Sequence, residues 1–425
     1  MKYLFLFVPL LFLFSCQYSE QTQVTNQEDY NKFLVSSPSR TTSKYYELWN
    51  SKIKPDSMQL TSFGIVASEY SRYFQNTGDI KYLKKAEQAL ERAVAIAAIG
   101  KAGYQRALAR NYISQHRFKE ALKLADSARL TGSGIEETQS LLFDVHMELG
   151  NYDKAEKYLD SIKNMSHFGY LIRAAKWNDH KGDLDTTIRF MEMAKQEAED
   201  SKNTSLMQWS YTNIADYYGH AGKIKESYDY YLKSLQLDPK NAYAKKGIAW
   251  IVFSYEKNPE EALRILDSVT KNYSAPDYYL LKSEIAAFQD NEKESLANLD
   301  KYYQAIQNPS YGDMYNVYNA SLYLEETGQY EKAFQIAEKE VQNRPTPHSY
   351  DLLAYSYLKN GQKDKALQVV EDHIIGKTFE PNILYHTAEI YKANGEISKV
   401  KELKEELLGA SYELGPDMAN KISKL

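Results

Sequence analysis

Side chains able to do chemistry are spread thinly along this 425-residue chain. Its eight histidines, His116, His146, His167, His180, His220, His348, His373 and His386, never stand three or four residues apart, so no helix face offers two imidazoles to one metal ion. There is no His-Glu-x-x-His, no phosphate-cradling glycine loop and no Gly-x-Ser-x-Gly. Gly132-Ser133-Gly134, ahead of a helix expected to begin near Glu136, reads as a turn with Ser133 as its cap. No catalytic residue, cofactor or metal is expected. Two groups retain some chemistry: Cys16 is the sole thiol, and Arg106 and Arg110, one helical turn apart, could grip a carboxylate in the forked geometry of guanidinium. The bland reading of the arginines is a solvated face.

The elements that would carry such groups begin with an apolar run from Tyr3 to Phe14 behind Lys2. It is long enough for the core of a secretory signal and short of the roughly 20 residues a spanning helix needs. The run ends Leu13-Phe14-Ser15-Cys16, which resembles a bacterial lipobox. That resemblance implies a signal peptide over residues 1–15 and acylation of Cys16 as the first mature residue, against the alternative of an ordinary signal with an incidental cysteine. Multiple chains on one cysteine hold a protein to a membrane stably without spanning it. Gln17 matches neither of the usual inner-membrane retention signals, which favours the outer membrane of a bacterial envelope and leaves the facing leaflet open. Residues 16–43, rich in Gln, Ser, Thr and Asn, read as a flexible polar tether.

The body is 26% charged with mean hydropathy −0.59 and nothing after residue 16 of membrane-spanning length. Its 52 basic and 57 acidic residues leave a formal charge of −5, which argues against nucleic acid as a partner. With one cysteine no intrachain disulfide can form, so stability must come from packing.

Periodicity says where that packing lies. A small residue follows a turn signal at Ala121, Ala155, Thr187, Ser227, Ala262, Ser295, Ala333 and Ala366, with Val400 a looser match; the separations run from 32 to 40 and average about 35. A second small slot recurs at Ala109, Ala175, Ala215, Ser283, Ser321, Ala354 and Ala388, and gives way to Phe143 and Trp250, where the packing must open. Two helices approach closely only where side chains are small, so the paired slots mark the crossing of each helical hairpin. Residues 44–97 read as a degenerate N-terminal helical cap, 98–408 as the repeat array and 409–425 as a C-terminal capping helix.

The motifs Gly150 to Ala155, Tyr211 to Pro239, Gly328 to Ala333 and Tyr350 to Ala366 resemble the tetratricopeptide repeat family. The resemblance is weaker from Ala244 to Tyr303, where the turns Lys257-Asn258-Pro259 and Asp290-Asn291-Glu292 lack glycine. It implies an all-α, right-handed helical-hairpin solenoid of about nine to ten repeats, whose first helices line a concave groove for a protein or peptide. Carried onto this chain, the groove comprises Arg106, Arg110, Asp144, Lys176, Trp209, Asp216, Tyr315, Tyr318, Tyr355 and Tyr385. The Lys and Asn clamp of the family's chaperone-tail binders is absent. Of 37 tyrosines, most fill repeat cores, as do Tyr112, Tyr218, Tyr357 and Tyr391, while Tyr315, Tyr318 and Tyr355 differ in helical phase and could stack on a sugar or a partner. The leading expectation is a membrane-anchored envelope scaffold that binds other proteins; a nutrient- or glycan-capture lipoprotein is the alternative, and an enzyme the weakest reading.

Overall fold

The structure, a computed structural model, describes residues 23–35, 37–54, 56 and 58–425; the expected signal peptide and Cys16 lie outside the described residues. Every regular element among the described residues is helical. Helix α1 (Gln27–Tyr30) runs into a 3-10 turn ending at Phe33, and α2 (Lys44–Asn50) follows. Ten helix pairs then succeed one another: α3 (Leu60–Thr77) with α4 (Ile80–Ile96), α5 (Lys101–Ser114) with α6 (Phe118–Leu130), α7 (Ile135–Glu148) with α8 (Tyr152–Ser161), α9 (Phe168–His180) with α10 (Leu184–Asp200), and α11 (Thr204–His220) with α12 (Ile224–Leu237). The second half continues with α13 (Ala242–Trp250) and α14 (Pro259–Thr270), α15 (Asp277–Phe288) and α16 (Glu292–Ile306), α17 (Asn316–Glu325) and α18 (Tyr330–Asn343), α19 (Pro347–Lys359) and α20 (Lys363–His373), and α21 (Pro381–Asn394) and α22 (Ile397–Gly409). A last helix, α23 (Ser411–Ser423), kinked at Gly415-Pro416, closes the array.

Local chemistry sets the ends of these helices. Asp183, Asn241, Asn258 and Asn291 each accept a backbone N–H of the helix they precede, and proline opens α14, α19 and α21, where a missing N–H is harmless. Where the hairpin turns lack glycine, Lys257 and Asp290 adopt the left-handed conformation themselves, at φ 54° and 56°. The turn geometry is therefore kept through the stretch where the sequence signature fades.

The small slots lie where the helices cross. Ala121, Ala155, Thr187, Ser227, Ala262, Ala333 and Ala366 have no exposed surface, nor have Ala109, Ala175, Ala215, Ala354 and Ala388. Polar slot residues bond across the crossing: Thr187 Oγ1 donates to the Ala175 carbonyl at 3.3 Å and Ser283 Oγ to that of Ser295 at 3.0 Å. At Trp250 the α-helix passes into a π-helical turn over Ile251–Tyr255, so the large residue in that slot coincides with a wider turn of backbone.

The array winds until it meets itself. The Ser274 N–H donates to the Thr77 carbonyl at 2.8 Å, Lys119 Nζ donates to the Gln342 carbonyl at 2.8 Å, and the Tyr412 carbonyl accepts both Trp250 Nε1 at 3.1 Å and Ser254 Oγ at 2.6 Å. Gly150 packs on the Pro345 carbonyl, Gly182 on the Phe379 ring and Gly219 on the Tyr412 ring. The tips of early hairpins thus rest on the connections between hairpins about five further along. Glycine at Gly150 serves twice: φ is +69°, and a Cβ there would stand 2.7 Å from the Pro345 oxygen.

The polar stretch expected as a free tether is not free in its described N-terminal part. Val24 N–H, Thr25 N–H and Thr25 Oγ1 all donate to the Glu256 carboxylate at 2.7–2.8 Å, and the Tyr30 hydroxyl, on a fully buried ring, donates to Glu261 at 2.7 Å. Residues 24–34 form a strap across α12 and α14 because Val24, Tyr30, Phe33 and Leu34 supply the apolar contact that their polar neighbours conceal in the composition.

Candidate functional site

The first helices of the hairpins face the axis, and their polar residues join each helix to the next. Arg173 of α9 pairs with Asp144 of α7 at 2.5 Å and Lys176 with Glu148 at 2.8 Å; Lys246 of α13 pairs with Asp277 of α15 at 2.9 Å. The hydroxyls of Tyr231 and Tyr243 both donate to Asp216, the latter at 2.7 Å. On α19 and α21, His386 Nδ1 lies 2.9 Å from Asp351 and its ring stacks on Tyr355 with centroids 3.8 Å apart, while Glu325 stands 3.8 Å from Nε2. Burial alone would lower the His386 pKa, but Asp351 and Glu325 carry it up to about 10, so the imidazole is held as a cation.

These bridges change the expected groove. Arg106 does not grip a carboxylate with Arg110: its guanidinium donates to the carbonyls of Ser133 and Gly134 and to Thr138 Oγ1, closing the start of α7. Gly134, not Ser133, is the N-cap residue, with φ at 65°. Asp144, Lys176 and Asp216 are already paired, with Arg173, with Glu148 and with the Tyr231 and Tyr243 hydroxyls. Tyr355 and Tyr385 are buried, the first donating to Glu389 and the second packed with Leu384, Ala388, Leu407 and Leu414. Tyr315 is wedged among Tyr302, Tyr311 and Tyr318. Arg110, Trp209 and Tyr318 keep exposed surface. Among the described residues no group of His, Asp and Glu is placed to hold a metal ion, and no helix is long and apolar enough to cross a membrane.

Two cavities open along the axis. One, of about 460 Å³, lies where the tips of α7–α8 and α9–α10 meet the connections before α19 and α21, and is lined by Glu148, Lys176, Asp179, His220, Arg344 and Glu380 among others. Asp179 has no cation of its own there; burial, then the Glu380 charge, push its carboxyl up to about 6. The second, of about 590 Å³, lies between α13, α15 and α17 on one side and α21 and α23 on the other. Its walls include Trp250, Leu280, Phe288, Leu322 and Met418, with Glu284 among the carboxylates that open on it. Burial, then Asp417, raise the Glu284 carboxyl to about 7. Sequence reasoning missed Asp179, Glu284 and the His386 cluster. For the last a signal exists: Asp351 and His386 are 35 residues apart, one repeat period.

Comparison with known proteins places this geometry. The tetratricopeptide repeat family matches residues 210–241, which take in the last eleven residues of α11, all of α12 and the connection that follows. A search of curated proteins gives no match. Among solved structures, a tetratricopeptide repeat protein from Parabacteroides merdae is 17% identical, with 61% of this chain and 98% of that chain covered, at a TM-score of 0.35. A chain of the Cut9–Hcn1 hetero-tetramer of the APC/C is 13% identical, with 90% of this chain and 96% of that chain covered, at a TM-score of 0.34. One hairpin thus matches the tetratricopeptide repeat directly, and a helix pair of the same kind recurs on either side of it, so the chain is an all-α helical-repeat array that contains a tetratricopeptide repeat.

Proposed function

We propose that the protein is a lipid-anchored envelope scaffold that docks a protein partner on an exposed rim of its first superhelical turn. The carrying observation is an asymmetry between equivalent edges. In the second half of the array the connections carrying Ala275, Tyr311, Pro345 and Phe379 sit against hairpin tips or their flanking helices. In the first half Ile99, 88% exposed, and Met165 lie on connections, and the helix residues Leu130, 83% exposed, Ile135 and Trp209 are exposed beside them, while Phe379 of the second half is 52% exposed. Apolar side chains recurring along one edge are what a partner surface requires, whereas isolated ones are ordinary. The inner wall, with most of its charges committed to bridging, supports docking a protein less well.

The anchor rests on the lipobox resemblance at Cys16. Eight residues separate Cys16 from Val24, where the strap is seated, and they span at most about 29 Å, so an acylated Cys16 would hold the body close to the membrane surface. Cys16→Ser is expected to release the protein from the membrane fraction; pelleting that persists in high salt would refute the anchor. In-cell cross-linking with mass spectrometry tests the scaffold. A reproducible protein neighbour that disappears in the Met165→Ser, Trp209→Ser double variant is expected, and neighbours unchanged by the double variant would place the partner elsewhere.

A further inference from the structure

We propose that the cavity between α15, α17 and α23 binds a small organic cation, an alkyl ammonium or guanidinium with an apolar body. The inference concerns the axis and is independent of the rim. Glu413, Asp277, Glu284, Glu325, Glu326 and Asp417 line the cavity with only two lysines among them. Both lysines are committed: Lys246 to Asp277 at 2.9 Å, and Lys421 to Asp417 at 3.1 Å with Glu325 at 3.9 Å. His220, at 3.9 Å, answers Glu413 in part.

Glu284 is left over. It stands mid-wall on α15, where it is exposed and lines the cavity. Among the described residues no hydrogen bond or ion pair engages it, and a Cβ on Gly415 would lie 3.4 Å from its Oε1. The charged groups facing it are Lys246 from α13, Glu325 and Glu326 from α17, and Glu413, Asp417 and Lys421 from α23. A carboxylate so placed is stabilised by a cation and disfavoured by an anion; burial and then the Asp417 charge raise its pKa.

The rest of the cavity fits the remainder of such a ligand. Its volume falls in the range of small-molecule sites, and Trp250, Phe288 and Tyr318 line it with aromatic rings, which favour a cation over their faces. The Trp250 indole is held by its bond to the Tyr412 carbonyl, so that wall is formed before any ligand arrives.

The test is isothermal titration calorimetry on the folded protein with n-hexylammonium as probe and 1-hexanol and hexanoate as neutral and anionic counterparts. Saturable binding of hexylammonium alone is expected, stronger at pH 8 than at pH 5.5 because Glu284 must be ionised, and at least tenfold weaker in Glu284→Gln. Ala287→Phe, which fills the cavity without altering its charge, is expected to abolish binding while far-UV circular dichroism stays native. Equal binding of hexanol, unchanged affinity in either variant, or binding of a lysine-bearing peptide with none of hexylammonium would overturn the proposal.

Discussion

His386 lies between two carboxylates and under a tyrosine ring, and its charge is part of what holds α19 to α21. Its pKa rises from about 6.5 in the unfolded chain to about 10 in the fold. The stabilisation is therefore complete below about pH 6.5 and disappears as pH climbs through about 10. His386→Phe keeps the stack but strands Asp351, with an expected loss of about 3–5 kcal/mol near pH 6 that shrinks towards pH 10. Thermal melts of both proteins across that range check this; a gap that does not change with pH would mean that the charge contributes nothing. Gly150 makes a second case. Gly150 and Gly361 both adopt positive φ, but only Gly150 has backbone in the way of a Cβ. Gly150→Ala is expected to cost about 1–3 kcal/mol more than Gly361→Ala in urea unfolding; equal losses would mean that the hairpin tip does not press on Pro345.

At the scale of elements, the strap and the hairpin crossings are separable. Glu256→Ala removes the acceptor of three hydrogen bonds from Val24 and Thr25. Hydrogen exchange is expected to show residues 24–34 losing protection while α12 and α14 keep theirs; a strap already unprotected in the parent protein would contradict its docking. Ala155→Trp overfills the α7–α8 crossing, where Ala155 has no exposed surface, and should cost at least about 1–3 kcal/mol. The crossings were legible because a small residue every 35 or so positions has no other economical cause. The strap was not. Tyr30 and Phe33 are two apolar residues in a polar stretch, and their partners lie about 200 positions away. The groove was half legible: the period placed Asp144, Lys176 and Asp216 on the axial face, but a position in one helix does not reveal that the next helix, about 30 residues on, supplies its counter-charge. Tyr355 and Tyr385 failed for the same reason, since their burial is set by neighbouring repeats.

For the whole molecule, the winding decides what the surfaces are for. An open solenoid would offer its inner wall to a partner, whereas here early tips rest on later connections, two cavities open between the facing helices, and Ile99, Leu130, Ile135, Met165 and Trp209 are exposed in the first half of the array. Local propensity cannot set this closure, because small rotations per hairpin accumulate over the array. It is read most directly by the distance between spin labels at Lys119→Cys and Gln342→Cys in a Cys16→Ser background, positions in contact through the Lys119 ammonium. An unwound array would hold these sites about 50–60 Å apart, six hairpins at 8–10 Å each. The account requires one narrow distribution at less than half that separation; a distribution centred near the unwound value would contradict the closure and with it the two cavities.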